Sequence, residues 1–200
     1  SIFAASLKKQ LKVPAWGWLG NNPIVNVSFY DALEYTNWLS KQFNLMPYYS
    51  FYIDNFNNKI TKIDFKSQGF RLPSEIEWEF AARGGNLEKD NDYNFSGGNN
   101  LDELGWYDVN SNNRSHSVAQ KSPNKLGIYD LSGNIWEWCW KEGNNKELEV
   151  FDKNLSPLNS YKVIRGGSWS DQLPNCSITI KSNIDMNSIS SNIGFRIVTN

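Results

Sequence analysis

The sequence predicts an α+β domain, with two helices, short mixed or antiparallel sheets and long loops. Three observations carry that expectation. Two capped helical segments lie in the first half of the chain, short apolar runs bounded by turn residues fill the second, and no repeat of roughly 20–50 residues organises the whole.

The first helix follows Ser28. Ser28 is a good N-cap, and Asp31 at the third helical position makes a near capping box. Phe29, Leu33, Thr36, Asn37 and Ser40 trace one helical row, while Tyr30, Ala32, Leu33, Tyr35, Trp38, Leu39 and Phe43 supply a broad apolar face. Asn44 and the approach to Pro47 end it. The second helix follows Ser74. Glu77 completes a Ser-x-x-Glu box, and Gly84-Gly85 stop the helix. Ile76, Phe80 and Ala81 are expected to face inward. Tyr48–Ile53 and Lys59–Phe65 form a hairpin across the turn residues Asp54–Asn58. Residues 86–125 have weak periodicity, and a loop of that length is usually functional or ion-stabilised. Trp136 and Trp138 alternate, as on a strand with one buried face. Lys162–Ile164, Cys176–Lys181 and Gly194–Thr199 read as late strands.

Composition narrows the function classes. The chain has 200 residues, 40% hydrophobic and 14% aromatic with nine tryptophans, which suits one domain with a sizeable core. A formal charge of −1, from 20 basic and 21 acidic residues, leaves no electrostatic footprint for nucleic acid. No apolar run is long enough to be a transmembrane segment. Two cysteines and one histidine exclude a Cys/His zinc site, and His116 reads as an exposed loop residue. Cys139 and Cys176 permit one disulfide or none.

Several segments in order resemble one family. They are Pro23–Leu39 (PIVNVSFYDALEYTNWL), Arg71–Gly85 (RLPSEIEWEFAARGG), Gly127–Trp138 (GIYDLSGNIWEW), Val163–Trp169 (VIRGGSW) and Asn192–Val198 (NIGFRIV). Together they cover residues 23–200 and are similar to the formylglycine-generating-enzyme, or sulfatase-modifying-factor, family. The resemblance implies a variant of the C-type-lectin fold over 23–200, preceded by an N-terminal segment, residues 1–22, shorter than the family's; a processed form, a truncated form and a compact branch are the alternatives. The charges of the second motif make physical sense unaided: Arg71 and Arg83 flank an acidic helix and can pair Glu75, Glu77 or Glu79.

The resemblance also implies chemistry, and here the chain departs from it. The family's enzymes hold copper with two cysteines five residues apart after the GGS motif. The matching positions are Asp171 and Cys176, so one thiolate is missing and the oxidase reading is poor. No catalytic residue and no required cofactor are expected. A structural calcium is implied around Asn134 and Glu137; the alternative is that Asn134 makes a turn and Glu137 a buried pair. With the fold so assigned, Cys139 and Cys176 fall near one core region, and a disulfide between them, consistent with export, is expected.

Residues 170–192 carry the functional expectation. Six Ser, four Asn, four Ile, two Asp and one Thr make 17 of these 23 residues, and all are AAY codons or one base from them. The tract resembles the variable region of diversity-generating-retroelement proteins, some of which are lipid-anchored on the spirochaete surface. That implies a binding protein displayed at the bacterial cell surface, with an unknown protein or surface ligand as partner. Ligand-facing residues are expected at Trp169, Ser170, Asp171, Asn175, Ser177, Thr179, Ser182, Asn183, Asp185, Asn187, Ser188 and Ser190; for Trp169 and Trp106 the readings are an aromatic anchor at the rim or core packing. Two readings stand beside it: a fixed binding or accessory domain, and a residual oxidase using Cys176.

Overall fold

The computed structural model describes residues 10–17, 20–53, 55, 59–88, 92–140, 148–151 and 161–200. Helix α1 spans Phe29–Gln42 and α2 spans Glu75–Ala82, each starting at the serine expected from sequence. Ser28 Oγ accepts the Asp31 amide at 3.2 Å and the Asp31 carboxylate accepts the Ser28 amide at 2.9 Å. Ser74 and Glu77 repeat the exchange at 3.2 and 2.8 Å. Each box satisfies two orphan amides of a helix start.

The faces the helices bury differ from the apolar pattern. On α1, Phe29, Ala32, Leu33, Thr36 and Ser40 are buried, whereas Phe43 is exposed. Thr36 and Ser40 tolerate burial because their hydroxyls donate to the carbonyls of Leu33 and Thr36, both at 2.8 Å. On α2, Trp78 and Ala82 point inward, while Ile76 is 67% and Phe80 53% exposed. The expectation for Ile76 and Phe80 is thus reversed. Trp78 is the bulkiest side chain on this two-turn helix, and seating it in the core rotates its neighbours outward.

Two sheets follow. Strands β1 (Tyr49–Ile53), β2 (Lys59–Ile63) and β4 (Leu148–Phe151) form an antiparallel sheet in the order β1-β2-β4. The hairpin matches the sequence expectation; most of its turn lies outside the described residues, as do residues 1–9 and 18–19 of the N-terminal segment. The second sheet has the order β6-β5-β3-β7, from β3 (Trp136–Cys139), β5 (Tyr161–Arg165), β6 (Lys181–Asp185) and β7 (Ile193–Gly194). Its one parallel pair is β3 with β7.

Strand β3 is buried on both faces, not one. Trp136 and Trp138 join Phe29, Leu33, Leu72 and Ile164 on the α1 side, and Cys139 joins Trp78, Leu131, Val163 and Ile178 on the α2 side. Trp138 packs edge-on against Phe29 at 5.8 Å and donates its indole N–H to Val27 O at 3.1 Å. The late strands are also redrawn. Residues 173–176 form a 3-10 turn, the strand begins only at Lys181, and β7 stops at Gly194 apart from a bridge between Arg71 and Val198. Pro174 in that turn has no amide for a ladder.

The long segment 86–125 is organised by side chains. It contains a 3-10 turn at Gly85–Leu87 and a one-turn helix α3 (Leu101–Leu104). Asn124 acts as its hub: Nδ2 donates to Ala81 O at 2.7 Å and Ser96 Oγ at 3.0 Å, and Oδ1 accepts the amides of Leu126 and Ile128. No described helix is long and apolar enough to cross a membrane.

Candidate functional site

After β5 the chain passes through Gly166 and Gly167, both at positive φ. A Cβ on Gly167 would lie 2.7 Å from Cys176 Sγ and 2.8 Å from Asn175 O. The glycine therefore lets loop 166–171 lie directly on the 3-10 turn. Ser168 next turns inward and is fully buried. Its hydroxyl donates to Asp171 Oδ2, which also accepts the Trp136 indole N–H at 2.8 Å. Asn192 Nδ2 donates to Ser168 Oγ at 3.3 Å and Ser170 Oγ at 3.1 Å, and Asn192 Oδ1 accepts from Ser190 Oγ at 2.5 Å. One polar network thus ties β3, the loop and the end of the tract together.

Trp169 sits on this network. Its amide donates to Asn134 O at 2.9 Å, its carbonyl accepts from Ser111 Oγ at 2.7 Å, and its indole N–H donates to Ser191 O at 3.1 Å. Trp16, from the N-terminal segment, packs edge-on against the Trp169 ring at 5.2 Å. Both rings are half-buried. The result is a platform with an aromatic wall and a row of hydroxyl and amide groups.

Of the residues expected to face a ligand, the structure brings Trp169, Ser170, Asp171 and Ser190 together. Asp171 is half committed, since Oδ2 is held internally. The rest separate into other regions. Ser177 and Thr179 bond each other at 3.3 Å on the turn where the Ile178 amide reaches Asn94 O, and exposed Asn175 sits beside them. Ser182 and Asn183 are consecutive on β6 and so point to opposite faces. Asp185 Oδ1 accepts both the amide and Nδ2 of Asn187, at 2.8 and 3.1 Å, and its carbonyl accepts the Ser188 amide. This turn lies at the start of α1, where Met186 O accepts the Phe29 amide. Trp106 is half-buried and stacks on His116, 3.8 Å away and nearly parallel, with Lys121 Nζ 4.1 Å from its ring centre. His116 is accordingly half-buried, with Nε2 2.7 Å from Ser111 O. Sequence reasoning missed Trp16, Trp136, Ser168 and Asn192. Asn192 closes the Ser/Asn-rich tract, and that composition was the available signal; Trp16 had none beyond being aromatic.

The expected disulfide does not form. Cys139 and Cys176 are both free and buried, in separate clusters, Cys139 with Trp78 and Cys176 with Phe95, Leu101 and Tyr107. Strand β3 turns Cys139 toward α2, and the 3-10 turn carries Cys176 toward α3. Burial, with the Asp171 charge second, pushes the Cys176 thiol up to about 12. A buried neutral thiol beside a carboxylate already held by Trp136 and Ser168 does not fit a copper pair. Calcium does not fit Asn134 and Glu137 either. The Glu137 carboxylate takes Arg196 at 2.6 and 2.7 Å and the Trp78 indole at 2.6 Å, so a guanidinium occupies the place of a cation. Asn134, at φ 65°, spends its amide on both main-chain groups of His116. Among the described residues, no three His, Cys, Asp or Glu side chains converge to hold a metal.

Comparison with known proteins places this geometry. The model of the sulfatase-modifying factor enzyme 1-like domain matches residues 9–200. The chain is 35% identical to the chaperone protein LppX of Paenibacillus barcinonensis, over 88% of this chain and 69% of that protein. It is 28% identical to the formylglycine-generating enzyme of Streptomyces coelicolor and to the inactive C-alpha-formylglycine-generating enzyme 2 of Bos taurus, over 88% and 87% of this chain. It spans about half the length of each, 52% and 49%. Among solved structures it is similar to Treponema denticola variable protein 1, with a TM-score of 0.77 and 29% identity over 98% of this chain and 79% of that one.

Proposed function

Because the chain belongs to the sulfatase-modifying factor enzyme 1-like family, we propose that it uses this family's C-type-lectin-like fold as a non-catalytic binding module, with its contact surface centred on Trp169, Ser170, Asp171 and Ser190. One observation carries the reading: where the enzymes of the family pair two thiolates, this chain has a carboxylate held by Trp136 and Ser168 and a single buried, protonated thiol. The family contains both active enzymes and a relative named inactive, so membership alone does not assign activity.

The likeness to a variable protein supports a diversified tract at residues 170–192; display of that tract at a bacterial cell surface is a further part of the proposal. The free thiols lend no support to export. A rigid aromatic wall beside short hydroxyl and amide groups is a surface that changes specificity cheaply, since serine and asparagine carry little side-chain entropy. Sequencing the codons for residues 130–200 across a growing population tests this. Substitutions confined to 170–192 and sparing Cys176 and Gly194–Arg196 are expected; uniform codons would leave a fixed binding module. An assay with copper and a cysteine-containing peptide should show no oxidation, and turnover abolished by Cys176→Ala would reject the non-catalytic reading.

A further inference from the structure

Strand β6 ends the four-stranded sheet, and among the described residues nothing pairs with its outer edge. The ladder determines which main-chain groups face outward. Trp136 and Trp140 turn theirs away from β5: their amides donate to Asn192 O and Pro73 O, and Trp140 O accepts the Glu75 amide. A residue in an antiparallel ladder directs N–H and C=O to the same side. Glu137 and Cys139 therefore bond β5, at Arg165 and Val163. Ile164 and Lys162 then bond β6, at Ser182 and Ile184. Lys181, Asn183 and Asp185 are left presenting their main-chain groups outward. The Asp185 carbonyl already accepts the Ser188 amide and keeps a second lone pair.

The strand reads Lys-Ser-Asn-Ile-Asp. Laid antiparallel on itself about Asn183, it sets Lys181 opposite the partner's Asp185, Asn183 opposite the partner's Asn183, and Ser182 opposite the partner's Ile184. Outward residues meet only outward residues, and each charge meets its opposite. The side chains of Lys181, Asn183 and Asp185 also share one sheet face, the one that carries α2, because Lys181 Nζ reaches Glu75 Oε1 at 2.7 Å. Both Lys–Asp pairs thus fall side by side on that face. The edge has no proline, and Lys181, which reaches Glu75 within its own chain, would lie between that carboxylate and the partner's Asp185.

We infer that β6 pairs with β6 of a second copy of this chain about a two-fold axis through Asn183, joining two four-stranded sheets into one. Ser182, Asn183 and Asp185 then belong to the dimer interface, and two Trp169-centred surfaces are held on one rigid body. The inference stands on the ladder and the charges alone, whether or not the tract binds a ligand.

Sedimentation velocity over a concentration series tests it. The wild-type chain should double in mass with concentration. Lys181→Asp and Asp185→Lys should each be monomeric, because like charges then face each other across the axis, and the double variant K181D/D185K should dimerise again. A wild-type chain that stays monomeric overturns the inference. So does a dimer that persists in both single variants, or a folded double variant that fails to recover it. Far-UV circular dichroism checks that each variant folds. Hydrogen exchange of the wild type needs no variant: the Lys181 and Asn183 amides should become protected as the dimer forms, and unchanged exchange would reject this edge.

Discussion

At the residue scale the decisive contacts are those that use up a side chain before any ligand or metal can. Glu137 is the clearest. Its carboxylate holds Arg196 through two bonds and the Trp78 indole through a third, deep between the sheet and α2. Removing one partner of a buried pair leaves an uncompensated charge, which typically costs about 3–5 kcal/mol. Glu137→Ala should therefore lower the unfolding free energy measured in urea by that order, and a loss below roughly 1 kcal/mol would mean that Arg196 finds another acceptor. The cysteines make a second prediction at this scale. Native protein should react with none of its thiols in a disulfide-exchange reagent, and unfolded, unreduced protein should show two. No reactive thiol after unfolding would restore the disulfide. The Asp171 substitution was legible in the sequence because motif spacing locates it. Its engagement by Trp136 and Ser168 was not, because 35 residues separate Asp171 from that indole.

At the element scale, the starts of both helices were legible because a capping box is a local code of four residues. The orientation of α2 was not. Eight residues give too few turns for apolar periodicity to outvote one large side chain, and Trp78 decides the rotation. This has a measurable consequence. Ile76→Ser and Phe80→Ser should each change stability by less than about 0.5 kcal/mol, as exposed positions do. Trp78→Ala should cost about 3–5 kcal/mol. Comparable losses at all three positions would return Ile76 and Phe80 to the core. The late strands failed for a related reason. Ser/Asn/Ile-rich sequence has no strong alternation, so register there is fixed by pairing with β5 and by the turn at Leu173–Cys176. The Ser/Asn/Ile-rich tract was therefore readable as a composition and unreadable as a surface, since β6 sends neighbouring residues to opposite faces.

At the scale of the whole molecule, pH reports how the charge network is balanced. The Arg71 hydrogen bond holds Glu77 below its ordinary value of 4.5. Burial works to raise Glu79, but the Arg83 bond and the Arg165 charge outweigh it and lower it as well. A carboxyl lowered in the folded state contributes stability that is whole above its unfolded value and lost as pH falls through its folded value. Asp130 has the opposite sign. Burial pushes it up, and the Ala119 amide and the Arg196 charge only partly offset that. Its ionised form is disfavoured in the fold, so it weakens the protein above its folded value, and that cost disappears as pH falls through it. Asp130 also sits at φ 59°, a conformation asparagine tolerates. Asp130→Asn should therefore stabilise the protein at pH 7, keep the Ala119 bond, and lose its advantage in acid. Glu77→Gln should do the reverse, destabilising at pH 7 and flattening the acid limb below about pH 4.5. Urea midpoints across pH for the three proteins separate the effects. A destabilised Asp130→Asn at pH 7 would mean that the Asp130 charge is needed beside Arg196 and outweighs the cost of burying it.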